Sequence, residues 1–140
     1  MRLFTIGYQN ARQADVIERL EQAGVRLLID VRALAGSRKP GFSKSNLAAS
    51  LAEHGIGYRH LRALGTPPDG RAAARAGRVD DLVGIYTVHL AEPAAQSALL
   101  EAADLARSRP SALLCFCARA DHCHRHMIAD RLGASAIVHL

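Results

Sequence analysis

The chain has 140 residues, of which 49% are apolar and 22% charged, with a formal net charge of +5. This length suits one domain that buries a core without disulfides or metal, and this balance excludes a disordered chain. No apolar run reaches the ~18 residues of a membrane span, and the opening Met-Arg-Leu-Phe-Thr-Ile-Gly-Tyr lacks the long apolar stretch and cleavage site of a signal peptide.

Leu3 to Gly7 reads as a first strand. Asn10 can cap a helix that carries Val16, Ile17 and Leu20 on one face, with Gly24 ending it. Arg26 to Val31 reads as a buried strand, followed by a loop from Arg32 to Phe42 that holds Gly36, Pro40 and Gly41. Ser43 is a plausible cap for a helix with Leu47 and Leu51 inward, closed by Gly55. Ile56 to Leu61 is a third strand, and Gly65-Thr-Pro-Pro-Asp-Gly70 reads as an irregular stretch. Helical spacing returns from Val79 to Leu90, and Pro93 suits the first turn of a helix to about Arg107. Ala112 to Cys117 is a fourth strand, His124 to Leu132 a short helix ended by Gly133, and Ala136 to Leu140 a last strand. The alternation predicts an α/β fold: one domain over residues 1–140, with a mostly parallel open sheet of about five strands and flanking helices, Rossmann-like and three-layered.

Such sheets bind ligands beyond the carboxyl ends of their strands. Three polar clusters fall there: Gly7-Tyr8, Asp30-Val31-Arg32 with Ser37-Arg38, and Cys117 to Arg125. Asp30 interrupts an apolar strand and needs a partner; strand alternation puts Arg32 on the same face. The plain reading is an ion pair that holds the loop. The functional reading makes Asp30 a general base or ligand acceptor, with Arg32, Ser37 and Arg38 gripping an anion. In the last cluster a turn opens a helix whose first residues are Cys123, His124 and Arg125. Free amides at a helix start attract anions, Arg125 adds a fork of donors, and the same field favours a Cys123 thiolate.

Cys115, Cys117 and Cys123 lie within nine residues, too local for a disulfide scaffold, and an odd number. The spacing is not that of a phosphatase loop: seven residues separate Cys117 from Arg125. Ile29-Asp30-Val31-Arg32 suggests rhodanese, but the compact cysteine loop of that fold is missing. Three Cys and three His within twelve residues are ample ligands for a metal such as zinc, yet paired CxxC hooks are absent and no bound cofactor is expected. Cys115 reads as core. The 16 Arg and 2 Lys permit phosphate or nucleic-acid binding, although an Ala-rich, Arg-over-Lys composition also follows from a GC-rich genome.

Thr5-Ile6-Gly7-Tyr8, Asp30-Val31-Arg32 with Ser37-Arg38, the Tyr58 to Gly65 stretch, and Leu113-Leu114-Cys115 leading to Cys123-His124-Arg125 together resemble domain-of-unknown-function family 488, in order and over nearly the whole chain. The resemblance implies a small bacterial or archaeal α/β protein and supplies no reaction. It also implies a departure, since members often carry an acidic residue where this chain has Cys117. The expectation is a cytoplasmic protein, of no expected oligomeric state and no membrane contact. Its pocket would take a phosphate-bearing small molecule, nucleotide or nucleic-acid end, held by Arg32, Ser37, Arg38 and Arg125 and served by Asp30, Cys123 and His124. A non-enzymatic nucleic-acid or protein-binding module and a Cys/His metal protein stand as alternatives.

Overall fold

Five strands, β1 (Arg2–Gly7), β2 (Leu27–Asp30), β3 (Gly57–His60), β4 (Ser111–Cys115) and β5 (Ala136–His139), form one parallel sheet in the order β3-β2-β4-β1-β5. Six helices flank it: α1 (Gln13–Gln22), α2 (Lys44–Glu53), α3 (Pro68–Arg75), α4 (Val79–Leu90), α5 (Pro93–Ser108) and α6 (His124–Arg131). The computed structural model describes residues 1–140, except for the side chain of His122. Among the described residues no helix is long and apolar enough to cross a membrane.

The two-residue period of a strand decides which core each side chain joins. Leu3, Leu27, Ile29, Leu113 and Cys115 pack on the face shared with Tyr86 of α4 and Ile128 of α6. Phe4, Ile6, Leu28, Ala112 and Leu114 pack on the other, against Val16 and Leu20 of α1 and Leu47 and Leu51 of α2. The three central strands are therefore apolar on both faces, which is why they read as unbroken runs instead of alternating ones. Each fully buried Leu or Ile contributes about 1.5–3 kcal/mol by leaving water. The outer strands β3 and β5 are only half-buried.

Connectivity creates the site. β1 and β4 are hydrogen-bonded neighbours, with Gly7 beside Cys115. Yet β1 leads into α1 on one face, while β4 leads into α6 on the other. Where adjacent strands send their connections to opposite faces, a crevice opens beyond their carboxyl ends.

Several local readings change. The stretch 65–70 is not irregular throughout, because α3 begins at Pro68. Pro lacks only an N–H that the first turn leaves unpaired anyway, so it starts this helix instead of breaking it. α1 starts at Gln13, with Arg12 and not Asn10 at its cap, and the Asp15 carboxylate accepts from the Arg12 backbone N–H at 3.2 Å. Ser43 precedes α2 but makes no side-chain cap bond.

Gly7 is fixed by close approach. A Cβ there would lie 1.8 Å from the Cys117 carbonyl oxygen and 2.9 Å from Nη1 of Arg125. Backbone cannot yield as a flexible side chain can, so Gly7→Ala should cost about 3 kcal/mol in urea unfolding, the upper end for overpacking. An unchanged midpoint would mean that the end of β1 is looser than it stands here.

Candidate functional site

A cleft of about 600 Å³ opens beyond β1 and β4. Tyr8 follows β1 and Phe116 follows β4; Arg71 and Arg75 of α3 line the facing wall. Cys115, Cys123 and His124, all buried, line the cleft as well. The loops at its mouth are tied together: the Gln9 N–H donates to the Phe116 carbonyl at 2.9 Å, and Lys39 Nζ donates to the carbonyls of Tyr8 at 2.7 Å and Gln9 at 2.9 Å.

Asp30 and Arg32 form the buried pair that strand alternation suggested, with side chains 0% and 5% exposed. Arg32 Nε donates to both carboxylate oxygens at 2.9 and 3.0 Å, and Nη2 to Oδ2 at 2.7 Å. Its backbone N–H also reaches Oδ1 at 3.0 Å, an Asx-type turn at the strand end. The Tyr58 hydroxyl donates to Oδ2. Arg32 Nη1 is spent on the Tyr8 hydroxyl at 3.1 Å and the Phe42 carbonyl at 2.7 Å. Burial alone would lower the pKa of Arg32; the hydrogen bonds and charge of Asp30 outweigh that and hold it above its ordinary value. The Tyr58 hydroxyl is raised by burial and by Asp30. The pair therefore braces the loop after β2. Arg32 borders the cleft with most of its donors committed, and Asp30 does not line it.

Arg125 is a second buried guanidinium, 1% exposed, and no carboxylate pairs with it among the described residues. Nε donates to Thr5 Oγ1 at 3.2 Å, and the Thr5 hydroxyl is also hydrogen-bonded with Nδ1 of His139 at 2.5 Å. Nη1 donates to Cys115 Sγ at 2.9 Å and to the Cys117 carbonyl at 2.5 Å, and Nη2 to the Ala118 carbonyl at 3.4 Å. Burial pulls its pKa below the ordinary value. Placed behind the sheet end, Arg125 stitches β1 to β4 and is not among the residues lining the cleft.

Cys123 and His124 do line the cleft. His124 Nε2 lies 2.7 Å from the Val31 carbonyl, so that nitrogen carries the hydrogen and donates it. Nδ1 then faces Cys123 Sγ at 3.5 Å. Burial pushes the His124 pKa down to about 4, so the ring is neutral at pH 7. The sulfurs of Cys115 and Cys123 lie against each other, although their Cα atoms are 7.8 Å apart. Ordinary disulfides need Cα atoms closer than about 7 Å, so a bond here would require the end of β4 and the start of α6 to move together. Cys117 is the third thiol, half-buried, with its pKa raised by burial.

Ser37 and Arg38 sit on the loop after β2, outside the lining of the cleft. Ser37 Oγ accepts from the Lys39 N–H at 3.1 Å, and Arg38 is exposed. The cleft gains two residues that the sequence reading missed, Arg71 and Arg75. Their four-residue spacing was the available signal, since it places both on one helix face, but it was hidden once the stretch before Arg71 was read as irregular.

A parallel α/β sheet with its cleft at the strand-order switch point defines a doubly wound α/β architecture. The model of the family described as "Domain of unknown function DUF488" matches residues 12–132, and the chain belongs to that family. No curated protein and no solved structure matches the chain.

Removing one partner of a buried ion pair leaves the other charge stranded. Asp30→Ala should therefore lower unfolding free energy by about 3–5 kcal/mol, measured by urea titration. The double variant Asp30→Leu/Arg32→Met should lose less than Asp30→Ala alone, because no charge is left unpaired. The opposite order would assign the pair a role other than bracing.

Proposed function

We propose that the cleft binds a small phosphate-bearing molecule, and that a nucleotide fits it best. Arg71 and Arg75 of α3 carry this reading: they line one cleft, four residues apart, and neither has a carboxylate partner among the described residues. Arg71 spends one donor on the Thr66 carbonyl at 2.9 Å, which orients it; Arg75 is exposed. Two guanidinium groups on one wall supply paired donors suited to phosphate oxygens.

The other wall suits a planar apolar group. Leu34 is 65% and Phe116 49% exposed, unusually open for such large side chains, and both line the cleft. Phe116 is held edge-on by Tyr8, with ring centroids 5.4 Å apart, and Tyr8 is itself stacked on Phe42 at 4.3 Å. A base against Phe116 and phosphates against Arg71 and Arg75 would use both walls. A volume of about 600 Å³ accommodates a mononucleotide.

Mononucleotides should raise the melting temperature of the wild-type chain in the presence of a chelator, and free phosphate should do so more weakly. Arg71→Ala and Arg75→Ala should each weaken binding about tenfold, the loss of roughly 1.4 kcal/mol expected for a charge-assisted contact in a wet cleft. Wild-type protein indifferent to every nucleotide and to phosphate would overturn the reading. So would arginine variants that bind as the wild type does. Oligonucleotide binding that survives loss of both arginines would favour a basic-surface module instead.

A further inference from the structure

We infer that Cys115, Cys123 and His124 form a site for a divalent metal of the zinc class, with two thiolate ligands, one imidazole nitrogen and a fourth position open to the cleft. The ligand atoms of the three residues lie within 4.8 Å of one another, and all three side chains are buried. They come from the two segments that meet at the switch point: the last residue of β4, the cap of α6 and its first residue. This inference takes up the Cys/His metal alternative in place of the leading expectation of no bound cofactor, goes beyond the nucleotide reading and does not rest on it.

Three features distinguish the cluster from thiols that merely fill a core. His124 is held as metal-bound histidines are held: one ring nitrogen donates to a backbone carbonyl, here Val31 at 2.7 Å, and the other is turned towards the sulfurs. The two cysteines face each other from Cα positions 7.8 Å apart, wider than an ordinary disulfide spans. A metal joined to each sulfur by a bond of about 2.3 Å accepts that wider backbone separation. Arg125 Nη1 donates to Cys115 Sγ at 2.9 Å, the outer hydrogen bond that steadies an anionic ligand.

The donor set selects the metal class. Two soft sulfurs and an imidazole suit zinc better than the oxygen-seeking magnesium or calcium. Three protein ligands leave a tetrahedral ion one position short, as in zinc sites that admit water or substrate. Two thiolates neutralise a divalent ion. The free position therefore sits beside the uncompensated charge of Arg125 and in a cleft lined by Arg71 and Arg75, which favours water or an anionic oxygen there.

Metal content by mass spectrometry, on protein purified in reductant without chelator, should give about one zinc per chain. Cys117→Ser should retain it, whereas Cys115→Ser and Cys123→Ser should lose it. Cobalt titration of the reduced wild-type apoprotein tests the site without any variant that might misfold. It should give thiolate-to-cobalt charge-transfer absorption and strong tetrahedral bands, saturating near about one equivalent. Wild-type protein that is metal-free as purified and gives no thiolate–cobalt bands overturns the site. So does metal retained at wild-type level in both ligand variants. Nucleotide binding is read separately, in chelator, so failure of one reading is not mistaken for failure of the other.

Discussion

A guanidinium buried without a carboxylate has to find every one of its acceptors in the fold, and Arg125 finds them on both sides of one strand junction. Thr5 in β1, the sulfur of Cys115 in β4 and the carbonyls of Cys117 and Ala118 beyond it all accept from this side chain. A charge removed from water stays removed only where such contacts replace its hydration. The requirement fixes much else nearby. Position 7 has to be glycine, because the chain after β4 crosses within contact of it. Cys115 has to present its sulfur to Nη1. The start of α6, which bears Arg125, has to lie against the ends of both strands.

A second buried arginine holds the opposite bank. Arg32 is answered by Asp30 in two-pronged fashion and then reaches Tyr8 and Phe42, so the loops after β1 and β2 share one polar hub. The two guanidinium groups thus solve the same problem differently, one with a carboxylate and one with neutral oxygens and a thiol. Both keep their positions by committing donors inward. That commitment leaves Arg71 and Arg75 of α3 as the cleft arginines with the fewest donors bound inside the fold.

The cleft therefore has a division of labour imposed by burial. Its rigid back is made from groups whose hydrogen bonds are largely spent. Its rim carries the exposed Arg75, the half-buried Arg71 and the exposed side chains of Leu34 and Phe116. Cys115, Cys123 and His124 are buried yet lie on the cleft lining.

The strand order along the chain, the parallel sheet and the placement of polar clusters at strand ends were all determined by the sequence itself. Runs such as Leu27-Leu28-Ile29 and Ala112-Leu113-Leu114 are apolar at every position, a pattern that only strands covered on both faces need. The Asp30–Arg32 contact was legible for the same reason, since a two-residue period puts both on one face. Helix α3 was not, because Pro67, Pro68 and Gly70 look like a break until the first turn is seen to need no N–H from Pro68. Only the tertiary structure decided which arginines face inward. Apart from Arg32, which its place beside Asp30 marked, local sequence treats Arg38, Arg71, Arg75 and Arg125 alike, whereas burial and the supply of acceptors separate them. Likewise the meeting of Cys115 with Cys123 and His124 depends on how α6 returns against β4, a long-range packing event that spacing along the chain does not encode.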